Sequence, residues 1–205
     1  ISNPCGGDPL STSAVNGIYF TGVDALGGIE NKVTNNLMYD FTGNGDVYAI
    51  HNIGSDNVWY LHNTIALDGI GGTAISRAFY QTTQAAGVRF ENNIVSITRA
   101  GSSTKYALYF NNAASDIISD RNILYLNSPT GDAFTGFLGS PLQTLLSWQT
   151  ATPNDANSRA SNPIFTDVVA GNYKPLNASI DNMCIPVGVT VDILGVVRSS
   201  TTPDV

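Results

Sequence analysis

Charge is scarce in this chain of 205 residues, of which only 12% are Asp, Glu, Lys or Arg. The basic residues are the fewest: 9 Lys and Arg stand against 16 Asp and Glu, a net charge of −7 with no basic cluster anywhere. That balance argues against nucleic acid and anionic membrane surfaces as partners, and against an enzyme dedicated to highly anionic polymers. No apolar run approaches the roughly 20 residues of a membrane-spanning helix, so a spanning role is not expected. Cysteine is nearly absent as well. Cys5 and Cys184 stand near opposite ends of the chain, and a bridge between them would be worth about 5 kcal/mol on the loop-entropy model. Bridging needs Cα atoms within about 7 Å, so the pair forms only if the C-terminal segment runs back along the fold. The chain starts at Ile1 with neither Met nor a signal peptide, the pattern expected of a processed or excised piece of a longer polypeptide with flanking domains.

What is abundant is Gly, Ser, Thr and Asn, and the asparagines recur in register. Four segments, 31–40, 58–67, 88–97 and 117–126, each carry an Asn at their sixth position. Those residues, Asn36, Asn63, Asn93 and Asn122, stand 27, 30 and 29 residues apart, a period that signals stacked repeats. Around them the apolar residues alternate with the strand period, as in Val58, Tyr60, Ile65 and Leu67 or Val88, Phe90, Val95 and Ile97. The implied fold is all-β: a parallel β-helix, or β-solenoid, of about five to seven coils. Each coil would rise about 4.8 Å above the last, and the four amides would form a structural ladder at equivalent corners. One coil cannot stand alone, because its buried aliphatics yield about 6 to 12 kcal/mol against at least about 27 kcal/mol for ordering its residues. Stacking supplies the rest.

In chain order, residues 1–16 read as a lead-in loop or incomplete first coil, 17–129 as the coils, and 130–205 as the last coil or coils with a closing segment. Within the last part, a short helix is expected around Pro141 to Gln149, with Ser140 as N-cap. Each coil also has a strand upstream of its Asn. Aligning these sets Ile18, Ile50, Ile75 and Leu108 inward and leaves Tyr19, His51, Ser76 and Tyr109 outward.

The outward positions supply the candidate sites. One column reads Lys32, Trp59, Arg89, Ile118, an indole between two cations and open to cation–π contact of about 0.5 to 1 kcal/mol. The next reads Thr34, Leu61, Glu91, Asp120, placing two carboxylates on adjacent coils. Trp59, Tyr19, Tyr109 and His51 are candidate ligand-binding residues, because exposed rings stack on sugars. For catalysis the candidates are Arg89, Lys32, Glu91, Asp120 and His51: a lyase needs a base and a cation, and an inverting glycosidase needs carboxylates about 6.5 to 9.5 Å apart. Asp155, Asn157 and Asp167 are oxygen donors of the kind that hold calcium. Calcium is the only cofactor the residues suggest.

The repeats from Gly17 to Leu126 resemble those of right-handed parallel β-helix proteins of the pectate-lyase-like superfamily. A second likeness is carried by Trp148-Gln149, Asp155-Ala-Asn157-Ser, Asn162-Pro-Ile-Phe165, Gly171-Asn-Tyr173, Ala178-Ser-Ile-Asp181, Asp192-Ile-Leu-Gly195, Arg198 and Pro203-Asp204. These are similar to the closing region of secreted β-helix proteins of the choice-of-anchor type, many from Bacteroidetes. The resemblance implies a secreted, extracellular or cell-surface bacterial setting. It is compatible with three roles: a non-catalytic structural or adhesive module with weak glycan binding, a polysaccharide lyase or glycosidase, and a self-assembling filament or surface-layer subunit.

Overall fold

The structure is a computed structural model that describes every residue except 3, 5–7, 112 and 114. Coil one comprises β1 (Val15–Thr21), β2 (Asn31–Thr34) and β3 (Leu37–Met38), and coil two comprises β4 (Val47–Ile53), β5 (Val58–Leu61) and β6 (Thr64–Leu67). Coil three holds β7 (Ser76–Gln81), β8 (Val88–Glu91) and β9 (Ile94–Ile97), and coil four β10 (Lys105–Phe110), β11 (Ile117–Asp120) and β12 (Ile123–Leu126). Strands stack in parallel into three sheets. The long sheet runs β1, β4, β7, β10 and then β13 (Ala133–Leu138), while β2, β5, β8, β11 and β3, β6, β9, β12 form the other two. The fold is therefore a parallel β-solenoid. Inside it Tyr60, Phe79, Phe90, Ile65, Val95 and Leu124 are shielded from solvent, and Phe79 and Phe90 stack with ring centroids 4.9 Å apart.

The corners follow the Asn repeat, with one correction to its mechanism. The left-handed residue is the one before each ladder Asn: Asn35, His62, Asn92 and Arg121 have φ of 55, 53, 58 and 55°. That bend turns the next side chain inward. The backbone N–H and Nδ2 of Asn36 both donate to Asn63 Oδ1, at 3.1 and 2.9 Å. Asn63 does the same to Asn93 at 2.9 and 3.1 Å, and Asn93 to Asn122 at 2.9 and 3.2 Å.

The stack has about four coils, fewer than the five to seven expected, because the chain leaves it after β13. There β14 (Pro141–Leu142) folds back antiparallel on β13. The helix expected from Pro141 starts later: α1 spans Leu145–Ala151 with Thr144 as N-cap, in a capping box with Ser147. Pro141 and Leu142 are held in strand by pairing with Phe137 and Gly136, which outweighs the preference of proline for a first helical turn. From α1, the fully buried Trp148 packs its ring edge on Phe110 at 5.3 Å and covers the core.

Beyond α1 come the hairpin of β15 (Phe165–Asp167) and β16 (Asn172–Pro175), and then a C-terminal strap. The strap runs back along the corner column. Arg121 donates to Met183 O, Asn92 to Ile185 O and Asn35 to Val191 O, each at 2.8 Å, in coils four, three and one. The condition for bridging the cysteines is thus met in direction, but Cys184 itself is buried against Arg121 in coil four. Cys5 lies outside the described residues.

One column of the sequence alignment is corrected. His51 is in register with Tyr80, not Ser76, and Ile50 with Phe79, not Ile75. Ser76 pairs with Val47 and is fully buried, and Ile75 precedes the strand. The turns before β4 and β7, residues 39–46 and 68–75, are equally long, but the last glycine, Gly45 or Gly72, stands two residues before β4 and four before β7, so the glycines do not mark equivalent places and the third coil was misplaced by four residues.

Candidate functional site

The long sheet carries the most organised surface. In each of its strands two consecutive residues face the core, as with Ala49–Ile50, Ala78–Phe79 and Ala107–Leu108, all fully buried. The residues flanking each pair therefore lie together on the outer side. One flanking column reads Asn16, Tyr48, Arg77, Tyr106, Phe134, and the other Tyr19, His51, Tyr80, Tyr109, Phe137. Five parallel strands span about 19 Å at their ordinary spacing.

The rings touch along and across the columns. Tyr48 and Tyr80 stack at 5.3 Å, His51 and Tyr80 at 4.7 Å, and Tyr109 and Phe137 at 4.3 Å with an interplanar angle of 4°. Tyr106 meets Tyr109 edge-on at 4.9 Å. At the centre lies Arg77, its guanidinium 4.6 Å from the ring centroids of both Tyr80 and Tyr109 and 5.3 Å from Tyr48. The nearest carboxylate oxygen, Asp46 Oδ2, is 3.9 Å from Nη1, and Asp46 also accepts the Tyr48 hydroxyl at 2.7 Å. Nε and Nη1 of Arg77 have no hydrogen-bond acceptor, so the ring faces add to the Asp46 carboxylate as electrostatic partners of the guanidinium.

Burial sets the charge state of this surface. It pushes the Tyr48 hydroxyl up to about 12, helped by its bond to Asp46, and raises Tyr80 and Tyr106. It lowers His51, helped by the Arg77 charge. The imidazole is thus neutral near pH 7, with Nδ1 3.1 Å from Asn16 Oδ1 and Nε2 unpartnered. The result is a nearly neutral aromatic platform with one cation set into it.

No family model matches this chain, and neither a curated protein nor a solved structure matches it.

The other sequence candidates lie on a different sheet or at the closed end. The column of Lys32, Trp59, Arg89 and Ile118 is in register as expected, with Lys32 Nζ 5.1 Å and the Arg89 guanidinium 4.8 Å from the Trp59 ring. Arg89 Nε also lies 2.6 Å from Glu91 Oε2. Burial raises the Glu91 carboxyl, while the Arg89 charge opposes the shift. Asp120 is the register partner of Glu91 and accepts both Asn157 N and Nδ2 at 2.8 Å. His51 is on the long sheet, apart from these four.

The three oxygen donors considered for calcium do not converge. Asp155 is fully buried beneath coil four, where it accepts Asn122 Nδ2 at 3.0 Å, Ser158 Oγ at 2.6 Å and Trp148 Nε1 at 2.8 Å. It terminates the amide ladder. Asn157 is bonded to Asp120, and Asp167 caps the turn to Ala170 at 3.1 Å. Among the described residues no group of three or more His, Cys, Asp or Glu is arranged to hold a metal, and no helix is long and apolar enough to cross a membrane.

Sequence reasoning found Tyr19, His51 and Tyr109 but missed Tyr48, Arg77, Tyr80, Tyr106, Phe134 and Phe137. A signal was present: Tyr48 and His51, Arg77 and Tyr80, Tyr106 and Tyr109, and Phe134 and Phe137 all stand three apart. Strict strand alternation places such pairs on opposite faces. The double inward residue returns them to one.

Proposed function

We propose that this chain is a non-catalytic β-helix module of a larger secreted or cell-surface bacterial protein, of the pectate-lyase-like architecture, that displays the aromatic face of its long sheet to glycans. One observation carries the reading: two adjacent columns of rings cross five strands with few breaks, around a caged guanidinium. Sugar rings present C–H faces that stack on aromatic faces, and their hydroxyls suit the phenol groups. A flat, solvent-facing platform gives contact without enclosure, so binding is weak and gains strength only by repetition along a polymer.

The experiment is a glycan array followed by titration calorimetry with the best oligosaccharide. Tyr80→Ala and Tyr109→Ala are expected to weaken binding at least about tenfold each, while Trp59→Ala, on another sheet, leaves it unchanged. Absence of any glycan ligand, or loss through Trp59→Ala alone, refutes the assignment.

The register pairing of Glu91 with Asp120 favours a second reading, a polysaccharide lyase or glycosidase working on the β8 and β11 face with Arg89 and Lys32. Its expected sign is unsaturated uronate absorbance or new reducing ends from plant and algal polysaccharides, abolished by Glu91→Gln with the fold retained.

A further inference from the structure

The C-terminal strap is tied to the corners beside a buried group that can titrate. At coil three the Asn92 amide stands between the strap and His62 of coil two: its Nδ2 donates to Ile185 O at 2.8 Å and lies 3.1 Å from His62 Nε2. A carbonyl only accepts, so the atom facing Ile185 O is the amide nitrogen. That nitrogen is a donor, which makes His62 Nε2 the bare nitrogen of a neutral ring. A second proton on the ring would set two donors face to face. Turning the amide over to accept that proton would place Asn92 Oδ1 against Ile185 O, so the tie to the strap is lost either way.

We propose that His62 is the latch of an acid-released strap: protonating its ring frees residues 182–205 from the corners while the coils stay folded, baring Ile94, Ile123 and Cys184. The groups around the ring oppose the added charge. On the strap, half-buried Arg198 donates from Nη2 to Asn35 Oδ1 at 3.2 Å and from Nη1 to Asp204 O at 2.9 Å, and its charge repels an imidazolium. The Asp204 carboxylate is engaged elsewhere, accepting Asn182 N–H at 3.0 Å and raising Asp181 beside it. The Cys184 thiol is pushed up to about 12 and stays neutral. On coil three Glu91 turns its carboxyl to Arg89, on coil four Arg121 donates to Met183 O, and coil one offers uncharged Asn35. Burial and the Arg198 charge lower His62 to about 4, and the Asp204 backbone offsets only part of that shift. The released strap therefore takes up the proton first: closure is favoured above pH 6.5 and loses that advantage as pH falls towards 4. Release leaves the interior intact because the strap's apolar contacts are a separate cluster, with Ile180, Met183 and Cys184 on Ile94 and Ile123.

The test is hydrogen exchange read by mass spectrometry at pH 7 and pH 4, each rate divided by the intrinsic rate at that pH. Strap amides such as Cys184 N–H and Arg198 N–H, bonded to Pro203 O and Thr190 O, are expected to lose protection at least about tenfold in acid. The amides of β4, β7 and β10 in the long sheet should keep theirs. His62→Asn removes the titrating group and supplies the residue that Asn35 and Asn92 already place at left-handed corners, so its strap should be equally protected at both pH values. A strap indifferent to pH, a strap and long sheet that lose protection together, or a His62→Asn strap that opens in acid as the unsubstituted one does overturns the proposal.

Discussion

Replacing Asn93 by Ala tests the amide ladder where it is most buried. The Asn93 side chain makes four hydrogen bonds: its oxygen accepts Asn63 N–H and Nδ2 at 2.9 and 3.1 Å, and its Nδ2 donates to Tyr60 O and Asn122 Oδ1 at 2.9 and 3.2 Å. At a net value near 1 kcal/mol each, the loss is about 4 kcal/mol. The same figure follows from the groups left behind. The Asn63 N–H loses its acceptor and Tyr60 O loses a donor in a site without solvent, at about 1 to 3 kcal/mol apiece. Asn36 is the comparison. It is only half-buried, its Nδ2 donates to Thr34 O and Asn63 Oδ1, and Asn63 Oδ1 keeps the Asn36 backbone N–H after truncation. Asn36→Ala should therefore cost about 1 kcal/mol. Urea unfolding followed by circular dichroism gives both values from the midpoint shifts at constant slope. If Asn93→Ala costs no more than Asn36→Ala, the ladder is not what holds the corners.

Three further outcomes are expected. His62 is buried, and its pKa is lowered to about 4 by burial and by the Arg198 charge; because the unfolded chain takes up its proton first, stability present above pH 6.5 is lost as pH falls towards 4. The loss is about 3 kcal/mol, and His62→Asn, which tolerates the same φ of 53°, should remove it from urea midpoints measured across that range. A Cβ on Gly136 would stand 2.2 Å from the Trp148 ring, so Gly136→Ala should cost about 1 to 3 kcal/mol, and much less in a Trp148→Leu background if that contact is the cause. Burial pushes the Cys184 thiol up to about 12, so iodoacetamide at pH 8 should label it at least about a hundredfold more slowly in the native protein than in urea, read by peptide mass.

The sequence makes the inward-facing repeat legible because the ladder Asn combines with strand alternation at fixed spacing within each coil. Asn36 to Asn122 and the whole column from Lys32 to Ile118 stand where that spacing puts them. The upstream strands are harder to read because turns of unequal length separate them from the corner. In β7 the buried places are also filled by Ser76 and Gln81, with the aromatic-caged Arg77 between them, so no apolar alternation marks the strand. Lys105 defeats the same logic. It is fully buried, and its ammonium donates to Gly101 O, Ser103 O and Thr130 O at 2.8, 2.9 and 2.9 Å, a cradle of carbonyls that no residue pattern announces. The role of Asp155 was hidden for a similar reason: its partners Asn122, Ser158 and Trp148 come together only once the closing segment folds over coil four.

The ladder has a direction, and the closing segment answers it. Every corner amide donates toward coil four, so the side-chain dipoles add with their positive ends facing Asp155, the carboxylate that receives the last Nδ2. The interior is thereby consumed by its own hydrogen bonding, and the strap does the same for the corner residues it covers. Only the outward columns are left unconstrained by folding. An outward strand position needs nothing more than a residue compatible with a pleated surface, for which Thr or Val suffices. The column of Lys32, Trp59, Arg89 and Ile118 shows how varied such places become. Against that background, rings repeated through two columns of the long sheet exceed what the fold requires. The rings pack on one another and on Arg77, yet part of their apolar surface stays in water, and that excess is what the proposed glycan contact rests on.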